Sequence, residues 1–184
     1  MKRITLAVGT LAVLALSATT SSAQSAKAIS IGISGGAAIP VGDLGEDYST
    51  GYNGTLSLMF QSVGSPIGLR VDGMYNKLSA QDDRVVPLPD IILTSANANL
   101  TYALPGVGIR PYLIGGGGIY GYKSDVSGAE TKTKFGVNGG IGASFPLSGF
   151  TTFIEARYHH IFTENQFGNS APTQFVPVTF GISL

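Results

Sequence analysis

His159 and His160 stand side by side, and two adjacent imidazoles invite a metal or catalytic role. Neighbouring residues of an extended chain point to opposite faces, so the pair cannot close on one ion. A His with a nearby Ser and acid is the equipment of a hydrolase, and Ser170 and Glu164 follow closely, but their spacing fixes no triad. Asp43, Glu46 and Asp47 are acidic enough for calcium, yet they lack the Asp-x-Asp-x-Asp-Gly spacing of a calcium loop and read as a solvated surface segment. Residues 110–122, RPYLIGGGGIYGY, hold a glycine run of the kind that cradles phosphate. A phosphate loop opens a helix and carries Lys-Ser/Thr at a fixed offset; here Ile119, Tyr120, Gly121 and Tyr122 follow, which is poor helix material. The chain has no cysteine, which excludes thiolate metal sites and disulfides. No metal or other cofactor is expected. There remain two charge pairs, Arg70 with Asp72 and Glu155 with Arg157, each spaced i, i+2 and summing together to zero.

That spacing has meaning only on a strand, where i and i+2 share a face. Period-2 alternation recurs from residue 28 to the end, and no helical period runs beyond a turn or so. Strands are predicted at 28–39, 51–61, 67–78, 92–104, 109–122, 134–145, 150–162 and 173–184. One face collects Ile29, Ile31 and Ile33, then Leu56 and Phe60, Leu69 and Val71, Leu100, Val137 and Ile141, and Ile154. The other collects Ser30, Asn53, Arg70, Asp72, Asn97, Asn99, Asn138, Glu155, Arg157 and His159. The connections alternate. Tight Pro/Gly turns at 62–66, 105–108 and 146–149 lie between longer polar segments at 40–50, 79–89, 123–131 and 163–172. In an antiparallel meander this places all turns at one end and all loops at the other, the asymmetry of transmembrane β-barrels.

The N-terminus agrees with export. Lys2 and Arg3, the apolar run Ile4–Leu16 and the small residues Ser21, Ser22 and Ala23 read as a signal peptide spanning 1–23, with cleavage before Gln24 and one domain over 24–184. Removing Lys2 and Arg3 from 11 basic residues leaves 9 against 11 acidic ones, and no basic patch argues for nucleic acid. Charged residues make up 12% of the chain, about half the usual soluble share. A strand of about 11 residues tilted by ~40° rises roughly 28 Å, the height of an apolar bilayer band. Hydrocarbon demands that every backbone polar group be paired, so the strands must close. The fold expected is an all-β, eight-stranded, antiparallel up-and-down transmembrane barrel.

In such a barrel the apolar face meets lipid and Arg70, Asp72, Glu155 and Arg157 line the lumen as a structural charge cluster, since eight strands leave room for side chains and little else. Long lumen side chains need small neighbours, which gives Gly115–Gly118 a place inside strand five. The glycines leave the facing of that strand open; counting from Arg110 turns Tyr112, Tyr120 and Tyr122 inward. Tyr75, Tyr102, Phe145, Phe150 and Tyr158 are candidates for interfacial girdles.

The segments IGISGGAAIPVGDL, RPYLIGGGGIYGY, FIEARYHHIF and FVPVTFGISL resemble the outer-membrane β-barrel domain family, small bacterial barrels similar in build to the OmpA/OmpX-type proteins. The resemblance implies integral residence in the bacterial outer membrane, with membrane lipid and the outer-membrane insertion machinery as partners. It also implies that the alternation Val176, Val178, Phe180, Ile182, Leu184 is the C-terminal insertion signal, although family members usually end on an aromatic residue and Leu184 stands here. The function expected is non-catalytic: a barrel presenting four extracellular loops for surface interaction or envelope integrity. The alternatives are a soluble exported lipocalin-like barrel with an apolar ligand inside, a lipid-modifying outer-membrane enzyme, and a narrow channel.

Overall fold

The computed structural model describes residues 29–62, 64–81, 88–125, 131–163 and 172–184. Eight strands form a closed barrel in chain order: β1 (Ile29–Val41), β2 (Tyr48–Gln61), β3 (Ile67–Ala80), β4 (Ile91–Ala103), β5 (Arg110–Ser124), β6 (Lys132–Pro146), β7 (Thr151–Ile161) and β8 (Thr173–Ser183). Every neighbouring pair is antiparallel, and β8 closes on β1 through the register Gly36↔Thr179. Ile31 and Leu184 exchange both backbone N–H···O bonds at 3.1 and 2.9 Å, so pairing at this seam runs to the last residue. No strand edge is left open, as hydrocarbon requires. The predicted strand set is recovered within three residues at each end.

Each tight connection contains one glycine at positive φ, namely Gly64 (79°), Gly108 (78°) and Gly149 (93°). That conformation is nearly closed to side-chain-bearing residues and lets each chain reverse within a few residues. At the other end the first connection departs from expectation. Pro40 and Val41 pair with Phe175 and Gln174, and Tyr48 and Ser49 pair with Ala80 and Ser79. The expected loop at 40–50 is therefore strand at both ends, and between them lie Gly42 and a five-residue helix, α1 (Asp43–Asp47). Its Leu44 is buried.

The two faces divide as the alternation predicts. Outward side chains are apolar and exposed, for example Ile33 at 61%, Leu56 at 55% and Phe135 at 71%. Such surface is untenable in water over a whole barrel and suits hydrocarbon. Tyr75, Tyr102 and Tyr158 also face outward, with Tyr52 and Tyr75 stacked at 6.1 Å. Phe150, 39% exposed, borders the lumen mouth at the tight turn in which Leu147 N donates to its carbonyl at 2.8 Å.

Inward side chains change character along the barrel axis. Toward the loop end lies an apolar cluster of Ala38, Leu44, Tyr48, Leu78, Ile91, Leu93, Tyr120, Ile161 and Phe175, nearly all fully buried, with Tyr122 half-buried against it. Mid-barrel side chains are polar or charged. Toward the tight turns the lumen opens into a cavity.

Candidate functional site

Strand pairing puts the four predicted charges at one level. Arg70 and Asp72 enter from β3, and Glu155 and Arg157 enter from β7, four strands away on the opposite wall. The i, i+2 partners do meet: Arg70 Nε lies 3.1 Å from Asp72 Oδ1, and Arg157 Nη2 lies 3.1 Å from Glu155 Oε1. The shorter contacts cross the lumen. Arg70 Nη2 donates to Glu155 Oε1 at 2.7 Å, and Arg157 Nη1 donates to Asp72 Oδ2 at 2.7 Å. The result is an alternating ring of four charges bracing opposite walls. The Tyr112 hydroxyl donates to Glu155 Oε2 at 2.8 Å, and Asn99 Nδ2 donates to Asp72 Oδ2 at 2.8 Å. All four charged side chains are at most 4% exposed. Burial of isolated charges there would be prohibitive; paired and hydrogen-bonded ones are tolerable.

Glycines make the ring possible. Side chains on Gly116 and Gly118 would run into the Ala98 and Ala96 carbonyls and crowd the amide oxygens of Asn99 and Asn97, one on Gly142 would run into the Tyr112 ring, and one on Gly140 into the Ala156 carbonyl and Arg157. Gly116 and Gly118 face the lumen, and Gly115 and Gly117 face out. This is the parity obtained by counting from Arg110, and Tyr112 and Tyr120 point inward with them.

A second polar layer joins the ring to the apolar cluster. Asn53 Nδ2 donates to Asn76 Oδ1 at 2.6 Å, and Asn76 Nδ2 donates to the Leu93 carbonyl at 3.2 Å. His159 is fully buried, within 2.8 Å of the Tyr120 hydroxyl through Nδ1 and stacked on Phe175 at 4.8 Å. His160 points the other way, outward, with Gln174 Nε2 3.2 Å from its Nδ1 and Phe162 at 5.0 Å. The two imidazoles thus occupy opposite faces. Glu164 and Ser170 lie outside the described residues, as does the segment read as a signal peptide. Asp43, Glu46 and Asp47 sit on α1, and among the described residues no group of three His, Asp or Glu is placed to hold a metal. Lys77 ties the loop-end rim together, 2.6 Å from Asp125 and 3.4 Å from Asp90.

Below the ring, on the tight-turn side, a cavity of about 610 Å³ reaches from the turns to Arg70 and Tyr112. Above the ring, the apolar cluster and Leu44 fill the bore. The lumen is a blind vestibule, open at one end. A lipocalin-like barrel needs its apolar stripe inside; here that stripe is outside, and the ligand-sized space is lined by hydroxyls and two arginines as well as apolar side chains.

Sequence reasoning missed the apolar cluster and the vestibule. Val176, Val178, Phe180, Ile182 and Leu184 all lie on the outward face of β8 and the residue after it, with Phe180 and Leu184 each 60% exposed.

The sequence pattern of the Outer membrane protein beta-barrel domain matches residues 8–182. Among solved structures the chain is similar to Neisserial surface protein A, at 17% identity and TM-score 0.69, over 88% of this chain and 99% of that one. It is also similar to a major outer membrane protein from Thermus thermophilus, at 14% identity and TM-score 0.52, over 85% and 98%. At these identities the likeness concerns the fold. No curated protein matches.

Proposed function

Because the chain belongs to the Outer membrane protein beta-barrel domain family, we propose that it is a non-catalytic integral barrel of the bacterial outer membrane that offers its loop end to the cell exterior. The observation that carries this reading is the closed bore: a four-charge ring at mid-depth and an apolar cluster above it. A narrow barrel filled in this way is a rigid post rather than a conduit. What it can offer to other molecules is the surface at its loop end, to which the acidic α1 contributes Asp43 and Glu46. Loops set on a rigid scaffold are where recognition is usually built.

In this reading the charge ring has a structural role, and the outward stripe of Val176, Val178, Phe180, Ile182 and Leu184 is read by the insertion machinery. The leader up to Ala23 is removed on export. His159 is locked between Tyr120 and Phe175, an arrangement suited to packing rather than to activating a nucleophile.

The test is topological and chemical. A cysteine replacing the exposed Asp43 is expected to react with a 5-kDa polyethylene-glycol maleimide on intact cells, and one replacing Val107 in a tight turn only after the outer membrane is opened. The reverse pattern defeats the orientation. Planar bilayers holding the purified barrel are expected to show no conductance steps. His159→Ala and His160→Ala are expected to leave lipid A and phospholipid profiles unchanged, and an altered profile would revive the enzyme reading.

A further inference from the structure

The tight-turn half of the lumen differs from the rest of the interior. Eight-stranded barrels are just wide enough for side chains to fill, and the other half of this one is filled. Here the inward positions carry small residues: Ser30 on β1, Ser57 on β2, Thr101 on β4 and Ser144 on β6. A larger side chain at any of them would take up part of the space. The cavity of about 610 Å³ falls within the ~300–1,000 Å³ range of small-molecule sites.

The charge of the lining is one-sided. The charged side chains that line it are Arg70 and Arg110. Arg70 forms the floor, held in place by Asp72 and Glu155 from behind. Arg110 stands near the mouth, and among the described residues it has no carboxylate partner. Ser144 Oγ donates to the Arg110 backbone carbonyl at 3.2 Å. A guanidinium donates in a fork suited to carboxylate or phosphate oxygens. Ser30, Ser57, Thr101 and Ser144 bring hydroxyls to the wall beside the apolar Met59 and Phe153, a mixture that suits a ligand with hydroxyls on a carbon frame.

We propose that this vestibule is a binding site for a small organic anion bearing hydroxyls, of about the size of a sugar phosphate, with its anionic group on Arg110 and its hydroxyls on the serine and threonine walls above Arg70. The site is independent of which barrel end faces the exterior, so its failure leaves the topological reading intact.

Glucose 6-phosphate serves as the probe, titrated into the full ¹⁵N-labelled barrel in an uncharged polyoxyethylene detergent. Saturable amide shifts are expected at Ser57, Thr101 and Ser144, with none at Leu44 or Phe175. Arg110→Ala removes the charge-assisted bond and is expected to weaken binding about tenfold or more, while Arg110→Lys retains most of it. Ser30→Phe, which narrows the space without touching a charge, is expected to weaken it as well. Both Arg110 variants and Ser30→Phe are checked for heat-modifiable gel mobility, so that lost binding is not lost folding. Absence of saturable shifts at the vestibule, or an unchanged affinity in folded Arg110→Ala, overturns the proposal. Glucose binding as tightly removes the anionic requirement, and inorganic phosphate binding as tightly removes the hydroxyl requirement; either result overturns the ligand class assigned.

Discussion

Removing Arg157 should cost more than its contacts suggest, and removing its partner as well should add no further loss. Arg157 Nη1 and Asp72 Oδ2 are 2.7 Å apart, with side chains 3% and 0% exposed. Neither residue lines the vestibule, so water cannot easily replace a lost partner. Arg157→Met leaves Asp72 and Glu155 sharing Arg70 alone, a net negative charge shut inside the bore. Asp72→Asn leaves the opposite excess. Breaking a buried pair by removing one member costs roughly 3–5 kcal/mol, most of it the uncompensated charge. The double variant is neutral again, keeps the Arg70–Glu155 contact at 2.7 Å, and keeps an amide oxygen for Asn99. It should therefore cost no more than the worse single variant, a coupling of about 3 kcal/mol or more. The assay is a urea series on the barrel in phosphatidylcholine vesicles, with the folded fraction read from heat-modifiable gel mobility. Additive losses in the double variant, or single losses below about 1 kcal/mol, where exposed ion pairs fall, would refute the cross-braced ring.

Three other perturbations probe the remaining layers. Gly116→Val should abolish heat-modifiable folding, because even its Cβ would run into the Ala98 backbone carbonyl and the Asn99 backbone, whereas Gly115→Val, whose Cβ meets nothing nearer than 3.7 Å, should fold normally. Phe175→Ala empties the centre of the apolar cluster and should cost about 3–5 kcal/mol in the same urea assay; a loss under about 1 kcal/mol, the scale of an ordinary substitution, would mean the cluster is not packed. Ile141→Arg puts a charge on the lipid face and should cost about 2–4 kcal/mol, while Val107→Arg in a tight turn should leave the urea midpoint unchanged. Equal effects at the two positions would contradict the assigned faces.

The faces were legible because they depend on parity alone. Ile29, Ile31 and Ile33 alternate with Ser30 and Gly32, and any strand pairing keeps that division. The same parity placed Arg70, Asp72, Glu155 and Arg157 inside. It did not show that the stronger contacts cross the bore, since that depends on the height at which β3 and β7 stand relative to each other. That height is set by pairing through the strands between them. The apolar cluster was hidden where alternation fails: Ile91, Ile92 and Leu93 are apolar on both faces, so no period distinguishes the buried Ile91 and Leu93 from the outward Ile92 between them. Glycines carry no facing signal, and strand five was oriented only from Arg110. The segment 40–50 looked like a loop because Pro40, Gly42 and three acids dominate it. Pro40 is nonetheless accommodated at the end of β1, opposite Phe175.

Leu56 and Ser57 test the inside-out barrel directly. They are consecutive on β2, Leu56 at 55% exposed and Ser57 at 6%. The chain has no cysteine of its own, so a single environment-sensitive fluorophore can be attached at either position of the reconstituted barrel and challenged with doxyl-labelled lipid. Strong quenching at position 56 and weak quenching at position 57 is the expected result. Stronger quenching at 57, or none at 56, would mean that hydrocarbon does not lie against the apolar face.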